Sequence, residues 1–532
     1  MTATPYGGSP STRPQGPHQS ADLGTVDRGA VPLSRRQVLV GLGAAGTLVA
    51  VGGLAACSRT PSTPPAPDGQ PAIGPAAGSA FAEPAVLTSE NGRLDVTLRA
   101  APAMVAFAGS TRWALTYNDS TPGPTLRVRP GDELVVTLDN GLDAPTNLHT
   151  HGLHVSPSGD SDNVFVMVDP GERRTYRYRI PADHPSGTFW YHPHHHGQVA
   201  AQVFGGLAGA IIIEDAIDEL PELAAATTRV LVLADPNIGD TAAVLAGGMM
   251  DTMLGREGDA IVVNGLHQPR IPAATGTLEH WRLINTSPSR YYVLRLAGHQ
   301  LQLIASDAGR LDQPHPTAEL ILVPGERAEV IVALDAPGTH ALTTRTVNRG
   351  GMGMGDGMGG GMGNGRGAGN ATTEIATLEI TGDPTDPPAL PATLAPVETL
   401  ADSTVTRTRD VTLAMGRGMG MGGGDGQFTI DGRGFDPERV DITARLDTTE
   451  DWVIRNTSPM DHPFHLHVWP FQVVDTDGSA APPGWKDTVN VPAGQTVTIR
   501  IPFRDYPGKT VYHCHILDHE DLGMMGIIDT RP

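Results

Sequence analysis

The chain has 532 residues, with 65 glycines and 46 prolines but few aromatic residues. This length suffices for roughly three domains, and the composition favours short strands and turns over long helices. The formal net charge of -21 argues against nucleic acid or an anionic membrane surface as a partner. The two cysteines, Cys57 and Cys514, are too few for a framework of disulfides.

Residues 1–57 are predicted to be an export signal. Arg35 and Arg36 precede an apolar, Gly/Ala-rich run that ends at Leu54-Ala55-Ala56-Cys57. This pattern resembles a twin-arginine signal with a lipoprotein box, in which Cys57 would carry a lipid and become the mature N-terminus. A plain cleavage site or an uncleaved anchor helix is the alternative. The Pro-rich segment 58–83 is then predicted to be a linker that separates the folded part from the membrane.

Two short motifs recur along the rest of the chain and indicate three similar units. The eight residues that begin at Trp281 recur in similar form at Trp452, and a turn with glycine before an alternating strand occurs at Gly171, Gly325 and Gly494. Alternation of apolar and polar residues in these units is typical of β-strands. We therefore expect an all-β protein of three consecutive β-sandwich domains, over residues 84–216, 226–382 and 400–532.

Four His-x-His pairs stand out, since twenty scattered histidines would give roughly one such pair by chance. Side chains alternate across a strand, so each pair presents two imidazoles on one face. Eight imidazoles are too many for one metal ion but suit a cluster of three. Alignment of the repeats indicates that the first and third domains share this cluster and that the middle domain binds no copper. The pairs are His149/His151, His192/His194, His465/His467 and His513/His515.

Cys514 lies between His513 and His515, so its side chain is expected on the opposite face of the same strand. With one further histidine, Cys514, His519 and Met524 would form the His2Cys site with a weak axial methionine that holds blue copper. The first repeat has Pro193 where Cys514 stands, so this site is expected in the third domain alone. A buried structural cysteine is the alternative.

These motifs resemble those of the three-domain multicopper oxidases, the family of laccases and copper efflux oxidases, over nearly the whole exported part. The resemblance implies cupredoxin-like Greek-key domains with four copper ions. The ligands that it implies are, for the type 1 ion, His462, Cys514, His519 and axial Met524; for the type 2 ion, His149 and His465; and for the type 3 pair, His151, His192, His194, His467, His513 and His515.

Several neighbouring residues do not match a ligand position of that family. Thr150 and Pro193 stand where many relatives have Trp and Ser, and neither change removes a ligand. Met525 is next to Met524, although the family spacing from Cys514 favours Met524. His154, His195 and His196 are expected to surround the ligands or to lie at the surface.

The resemblance implies an oxidoreductase that couples four one-electron oxidations of a small reducing substrate to reduction of O2 to two waters. Protons are needed at the cluster, and the ligand histidines cannot supply them. The candidate proton donors are Glu520, which follows His519, and Asp162, with Asp160 as an alternative to Asp162. Ordinary surface carboxylates are the competing interpretation.

Two stretches rich in glycine and methionine, 350–366 and 415–425, interrupt strand patterns and are predicted to be loops. A thioether is a soft ligand that suits Cu(I). We therefore expect a cuprous oxidase that converts Cu(I) to Cu(II) in copper tolerance, and a compositionally biased insertion is the alternative. The candidate Cu(I) ligands are Met352, Met354, Met358, Met362, Met415, Met419, Met421 and Met460, of which Met460 corresponds to a substrate-copper ligand of the efflux oxidases.

Other functions fit parts of the same pattern. A laccase would oxidise phenols or aromatic amines, and Fe(II) or Mn(II) are further substrates within the class. A non-catalytic copper-binding protein could share the fold, but relatives of that kind lose ligands. A copper nitrite reductase would have two domains and an incomplete set of His-x-His pairs. The signal predicts an extracytoplasmic location, in the periplasm or on the outer cell surface, with a lipid on Cys57 as the membrane tether.

Overall fold

The computed structural model describes residues 78–107, 110–214, 220–237, 248–350, 371–394, 396–416, 428–477 and 484–532. The predicted export signal and most of the two methionine-rich stretches, including Met352, Met354, Met358, Met362, Met419 and Met421, lie outside these ranges. No helix within the ranges is long and apolar enough to cross a membrane.

The first domain is a sandwich of two sheets around an apolar core. Its elements are β1 (Val86–Thr88), β2 (Arg93–Phe107), β3 (Ser110–Tyr117), β4 (Thr125–Val128), β5 (Glu133–Asn140), β6 (His149–His151), β7 (Arg173–Arg179), β8 (Gly187–His192), α1 (Val199–Gly205) and β9 (Gly209–Ile213). One sheet has the order β3-β2-β5-β7 and the other β1-β4-β9-β8-β6. Leu98, Val136 and Ile211 are fully buried between them.

The middle domain has the same two-sheet architecture, with more strands in its sheets. Its elements are α2 (Pro221–Ala224), β10 (Thr227–Ala234), α3 (Met249–Leu254), β11 (Val262–Val263), β12 (Arg270–Ala274), β13 (Thr277–Asn285), β14 (Tyr292–Leu296), β15 (Leu301–Ser306), β16 (Gly309–Thr317), β17 (Leu320–Leu322), β18 (Arg327–Leu334), β19 (Gly338–Arg345) and β20 (Thr372–Thr381). The sheets have the orders β11-β10-β13-β18-β15-β16 and β12-β20-β19-β14-β17. Trp281 and Leu294 are buried in its core.

The third domain again pairs two sheets. Its elements are β21 (Val405–Met415), β22 (Phe428–Ile430), β23 (Ile442–Arg445), β24 (Thr448–Asn456), β25 (His462–Leu466), β26 (Gln472–Thr476), β27 (Thr488–Val491), β28 (Thr496–Phe503), β29 (Gly508–Cys514), α4 (Leu517–Asp521) and β30 (Met525–Arg531). The sheets have the orders β22-β21-β24-β28-β26 and β23-β30-β29-β25-β27. The prediction of an all-β chain with three cupredoxin-like sandwiches is therefore confirmed.

One asparagine performs the same task in each domain, which explains the sequence repeat. Asn140, Asn285 and Asn456 each end a strand and use the side-chain amide to donate to two backbone carbonyls at 2.8–3.0 Å. Each also accepts a backbone N–H from two residues further on. The asparagine thus fixes how the chain leaves the strand toward the segment that carries histidines in the first and third domains.

The prediction that the linker 58–83 extends to residue 83 is wrong. Gly78 donates its N–H to the carbonyl of Gln268 at 3.0 Å, and Phe81 donates to Arg270 at 2.9 Å. Phe81 also packs against the core of the middle domain. Residues 78–83 are therefore part of the folded body, because a short strand-like segment covers the edge of β12.

Candidate metal centres

Strands β6 and β8 of the first domain face strands β25 and β29 of the third, and the facing ends carry all eight histidines of the four His-x-His pairs. Each of the eight is no more than 2% exposed. Rings from the two domains stack directly: His149 lies 3.9 Å from His467, and His151 lies 3.9 Å from His465, between centroids. The two domains therefore share one closed histidine cluster.

The cluster has the donor atoms that a group of metal ions needs. Buried polar groups in proteins nearly always have hydrogen-bond partners, yet several imidazole nitrogens here have none. They are Nε2 of His149, His192 and His465, Nδ1 of His151 and His467, and both ring nitrogens of His515. Unpartnered lone pairs gathered in a closed space fit bound copper, for which imidazole is a preferred ligand.

One subset shows how closely these nitrogens converge. Nε2 of His513 lies 3.2 Å from Nε2 of His194 and 3.1 Å from Nε2 of His467. Further sets whose ligand atoms all lie within 4.8 Å of one another are His149/His151/His192 and His149/His465/His467. The cluster therefore offers several adjoining positions rather than a single one.

Asp162 contacts the cluster from the first-domain side. Its carboxylate lies 2.9 Å from Nδ1 of His149 and accepts the backbone N–H of Thr150 at 2.9 Å. Burial raises the pKa of Asp162 to about 7. Asp160, the alternative, is exposed and lies 3.6 Å from Arg177. Of these two carboxylates, it is therefore Asp162 that contacts a histidine of the cluster.

Glu520 contacts the opposite side of the cluster and is fully buried. Its carboxylate lies 3.1 Å from Nδ1 of His513 and 3.5 Å from Nε2 of His194. Burial opposes its ionisation, but the charges of the facing imidazoles outweigh burial and lower the pKa of Glu520 to about 2. Both predicted proton donors thus lie against histidines of the cluster.

A second set of donors lies on the other side of β29. Sγ of Cys514 is 3.4 Å from Nδ1 of His462 and 3.9 Å from Nδ1 of His519, and these two nitrogens are 3.3 Å apart. All three residues are fully buried. His519 lies on the short helix α4. Met524 is buried next to this group, and its backbone accepts the N–H of Cys514 at 3.0 Å.

Burial also determines the protonation of this second set. It raises the pKa of the Cys514 thiol and lowers the pKa of His462 to about 3, so the imidazole is neutral. A thiolate in this apolar setting therefore needs a cation to compensate its charge, and metal coordination deprotonates a thiol outright. Two neutral imidazoles beside one thiolate form the trigonal donor set of a blue-copper site.

Elements of the middle domain cover the Cys514 site. The sequence did not indicate this cover. The carbonyl of Met253, in α3, lies 3.2 Å from Nε2 of His519. Arg256 donates from Nη2 and Nε to the carboxylate of Asp518, at 2.6 and 3.0 Å, and this buried ion pair joins the segment after α3 to α4. Phe428 stacks on His519 with ring centroids 4.1 Å apart.

Asp487 is a further functional residue that sequence reasoning missed. Its carboxylate lies 3.2 Å from Nε2 of His151 and receives two hydrogen bonds from Arg327 of the middle domain. The sequence does contain a feature that could have indicated Asp487. Lys486 and Asp487 are adjacent charged residues at the start of an apolar strand, where charged residues are rare unless they are paired.

The remaining candidates lie around the two groups. Met460 is buried beside the Cys514 site, Met415 is partly buried against the same apolar cluster, and Met525 packs in a separate cluster with Val511. A cavity of about 750 Å³ is bordered by His194, His195, Phe165 and Lys509. This cavity brings solvent to one edge of the histidine cluster.

Comparisons with known proteins agree with this geometry. Family models described as multicopper oxidase match residues 100–217, 236–357 and 404–532. The multicopper oxidase mco of Staphylococcus haemolyticus is 30% identical over 82% of this chain and 89% of its own length. The cell division protein FtsP of Dickeya dadantii is 28% identical over 83% of this chain and 90% of its own.

A solved structure shows the same fold. The multicopper oxidase from Campylobacter jejuni, described as a metallo-oxidase, aligns with a TM-score of 0.74 at 29% identity, over 86% of this chain and 96% of its own. Three consecutive family matches, a relative at 30% identity over most of both chains and this structural likeness all agree. The chain therefore belongs to the multicopper oxidase family, whose members are copper-containing oxidoreductases.

Proposed function

We propose that the chain holds four copper ions in two centres and reduces O2 to water with electrons from a small reductant. His462, Cys514 and His519, together with Met524, would hold the type 1 ion. His149 and His465 hold the type 2 ion, and the other six histidines of the cluster hold the type 3 pair. Bound copper supplies the one-electron redox chemistry and the activation of O2. The unpartnered imidazole nitrogens support this assignment.

The chain itself connects the two centres. Cys514 is bonded through the backbone to His513 and His515, whose side chains face the histidine cluster, whereas its own thiol faces His462. This is a short covalent link between the two donor sets, and no side chain has to move to complete it. All three residues are fully buried.

Asp162 and Glu520 are proposed to relay the protons that water formation needs. Glu520, whose pKa is lowered to about 2, would do so from its ionised form, by taking up a proton and passing it on. Each carboxylate is buried and lies within about 3 Å of an imidazole, which is within reach for proton transfer. The cavity beside His194 brings solvent close to the Glu520 side, since Glu520 lies 3.5 Å from the same imidazole.

For the reductant, we propose Cu(I), and one observation carries this choice: both methionine-rich stretches are joined to residues of the type 1 site. Gly350, the first residue of the first stretch, pairs with Met460 through a backbone bridge. The second stretch begins at Met415, which packs against the apolar cluster that contains Cys514, and it is followed by Phe428, which stacks on His519. The described ends of both stretches thus lie close to residues of the type 1 site, and the sequence of each stretch contains thioethers, which suit Cu(I).

The same surroundings disfavour large aromatic reductants. Both type 1 imidazoles are fully buried, and the outer nitrogen of His519 already faces the Met253 carbonyl. With α3 in place the Met253 carbonyl covers that edge, so phenol turnover is expected to be slower than Cu(I) turnover. A laccase activity toward phenols or aromatic amines, or an Fe(II) or Mn(II) oxidase activity, is thus the second candidate within the family.

The experiment compares O2 uptake with Cu(I) and with a phenol, using copper-loaded protein. The test variant changes Met352, Met354, Met358, Met362, Met415, Met419 and Met421 to Ser. The control variant changes Met104, which is 64% exposed on the first domain. We expect the test variant alone to lose Cu(I) turnover while it keeps phenol turnover. Unchanged Cu(I) turnover would remove the cuprous proposal and favour the laccase.

A non-catalytic copper-binding protein remains the candidate from a different class. The resemblance to FtsP, a protein named for cell division, shows that the fold alone does not define the activity. Here, however, both donor sets are complete and buried. Copper binding without any O2 uptake, from each reductant tested, would support that candidate instead.

We also propose that the protein is exported and anchored by a lipid on Cys57. The proposal rests on Arg35, Arg36 and the Leu54–Cys57 sequence, all outside the described residues. The test is fractionation of cells that express the full chain. Changing Arg35 and Arg36 to Lys is expected to retain the protein inside the cell, and Cys57→Ser is expected to release it from the membrane. Export that does not depend on these residues would contradict the proposal.

A further inference from the structure

Arg327, at the start of β18, connects the middle domain to the histidine cluster through Asp487. Its exposed fraction is 1%. The guanidinium donates to the two carboxylate oxygens of Asp487 in the third domain, at 2.7 and 2.5 Å. It also donates to the backbone carbonyls of Thr188 in the first domain, at 3.1 Å, and of Asp307 in its own domain, at 2.7 Å. One arginine therefore joins all three domains.

Asp487 in turn contacts two histidines from different domains. Its carboxylate lies 3.2 Å from Nε2 of His151, in the first domain. Its backbone carbonyl lies 2.8 Å from Nδ1 of His465, in the third domain. The two imidazole rings stack with centroids 3.9 Å apart and planes only 13° from parallel. Asp487 thus touches the outer nitrogen of both members of a stacked pair.

These outer contacts determine which nitrogens face inward. An imidazole that donates an N–H to Asp487 keeps a lone pair on its other nitrogen. The other nitrogens, Nδ1 of His151 and Nε2 of His465, are buried without partners. Hydrogen bonds from a metal-binding histidine to an outer carboxylate or carbonyl fix the tautomer and the ring orientation. Asp487 supplies both kinds of acceptor.

The packing leaves this arrangement little freedom. A Cβ added at Gly152 would lie 2.3 Å from Nη2 of Arg327 and 2.7 Å from Oδ2 of Asp487. A Cβ added at Gly325 would lie 2.8 Å from Nε2 of His515. Glycines on both sides therefore allow the Arg327–Asp487 pair and the middle-domain backbone to approach the cluster.

We propose that Arg327 is a positioning residue for the oxygen-reducing copper cluster, acting through Asp487 on His151 and His465. The middle domain, which holds no copper-binding pair of its own, thereby contributes to the cluster that the other two domains form. The planar guanidinium is suited to this role because its fork matches a carboxylate with two parallel hydrogen bonds, which a lysine cannot reproduce. This inference rests on the proposed copper ligands.

The test is Arg327→Lys, which keeps the positive charge and removes the fork. The readouts are copper content after challenge with a chelator, the electron paramagnetic resonance signal of type 2 copper, and the blue absorption of the Cys514 site. We expect cluster copper to bind 10- to 100-fold more weakly, the scale for loss of an outer hydrogen-bond partner. The type 2 signal should change, while the blue absorption should stay as in the unchanged protein.

The matched control is Glu329→Gln. Glu329 is buried, accepts from Arg282 at 2.9 Å and joins the middle domain to the first through Thr188 at 2.8 Å. The contacts described for it reach none of the eight cluster histidines. This variant weakens domain docking and is expected to keep cluster copper and the type 2 signal. Equal copper loss in both variants would overturn the proposal, since general loosening would explain it.

Two further outcomes are decisive. If Arg327→Lys retains copper and the type 2 signal of the unchanged protein, Arg327 does not position the cluster. If Arg327→Lys fails to fold, Asp487→Asn takes its place as the test variant, because it exchanges only one carboxylate oxygen for an amide nitrogen. The same readouts are measured, and the same results are expected. If the unchanged protein shows blue copper but never a type 2 signal, the ligand assignment itself fails, and the proposal fails with it.

Discussion

The backbone carbonyl of Met253 lies 3.2 Å from Nε2 of His519, so a helix of the middle domain occupies the outer edge of an imidazole in the third. That edge is where an electron from outside would enter the Cys514 site. The buried Arg256–Asp518 ion pair fixes the chain directly after the helix. Access to His519 therefore depends on how firmly α3 is held.

Asp518→Asn is expected to increase phenol oxidation, because it weakens the contact that holds α3 over His519. Docking that is weaker by about 1.4 kcal/mol would make the open state, and the phenol kcat/KM, roughly tenfold higher. Steady-state O2 uptake with a phenol measures this. The control is Asp451→Asn, which breaks the pair with Arg500 elsewhere in the third domain. An equal rise in both variants, or none in Asp518→Asn, would show that α3 is not a barrier.

Cys514→Ser is expected to abolish the blue colour of the copper-loaded protein, since a hydroxyl does not replace the thiolate that gives the colour. The type 2 signal of the histidine cluster should remain, because its donors, His149 on β6 and His465 on β25, do not include Cys514. Absorption and electron paramagnetic resonance spectra test both statements. A variant that stays blue would refute the assignment of Cys514.

The His-x-His pairs and Cys514 could be predicted because strand alternation and the sequence repeat are local patterns. Asp487, Arg327 and Met253 could not be placed in the same way. The Arg327–Asp487 contact spans 160 residues, and the Met253–His519 contact spans 266. Such contacts arise when separate domains dock, and no periodicity records which residues will meet. The sequence also left Asp162 and Asp160 open, and the fold places only Asp162 against His149.

Glu520→Gln is expected to slow O2 reduction by about 100-fold or more, the usual scale for loss of a positioned proton donor. The amide keeps the shape of the side chain but cannot take up a proton and release it again. Anaerobic bleaching of the blue colour by Cu(I) should stay fast, because reduction of the Cys514 site does not use Glu520. Stopped-flow absorption separates the two steps. The control is Asp160→Asn at an exposed position, and a slow bleaching step in Glu520→Gln would contradict the proposed role.

Glu329 should make stability depend on pH in the acidic range. Burial alone would raise its pKa, but the charge of Arg282 contributes to lowering it below the ordinary value of 4.5. A lowered pKa in the folded state stabilises the fold above pH 4.5, and this stability is lost as the pH falls further. Glu329→Gln should cost about 3 kcal/mol at pH 7, as loss of one partner in a buried ion pair does.

Thermal unfolding at pH 7 and at pH 4 or below measures the effect of Glu329. The difference in melting temperature between the variant and the unchanged protein should shrink as the pH falls. A difference that is the same at every pH would mean that the Glu329 charge does not contribute.

The most direct test of the account is the stoichiometry of O2 uptake with Cu(I) by the copper-loaded protein. Reduction of O2 to two waters takes four electrons, so we expect four Cu(I) oxidised for each O2 consumed and no hydrogen peroxide. Cys514→Ser should reduce the rate to that of Cu(I) in buffer. Two Cu(I) per O2 with release of peroxide, or uptake no faster than in buffer, would contradict a joint function of the Cys514 site and the histidine cluster.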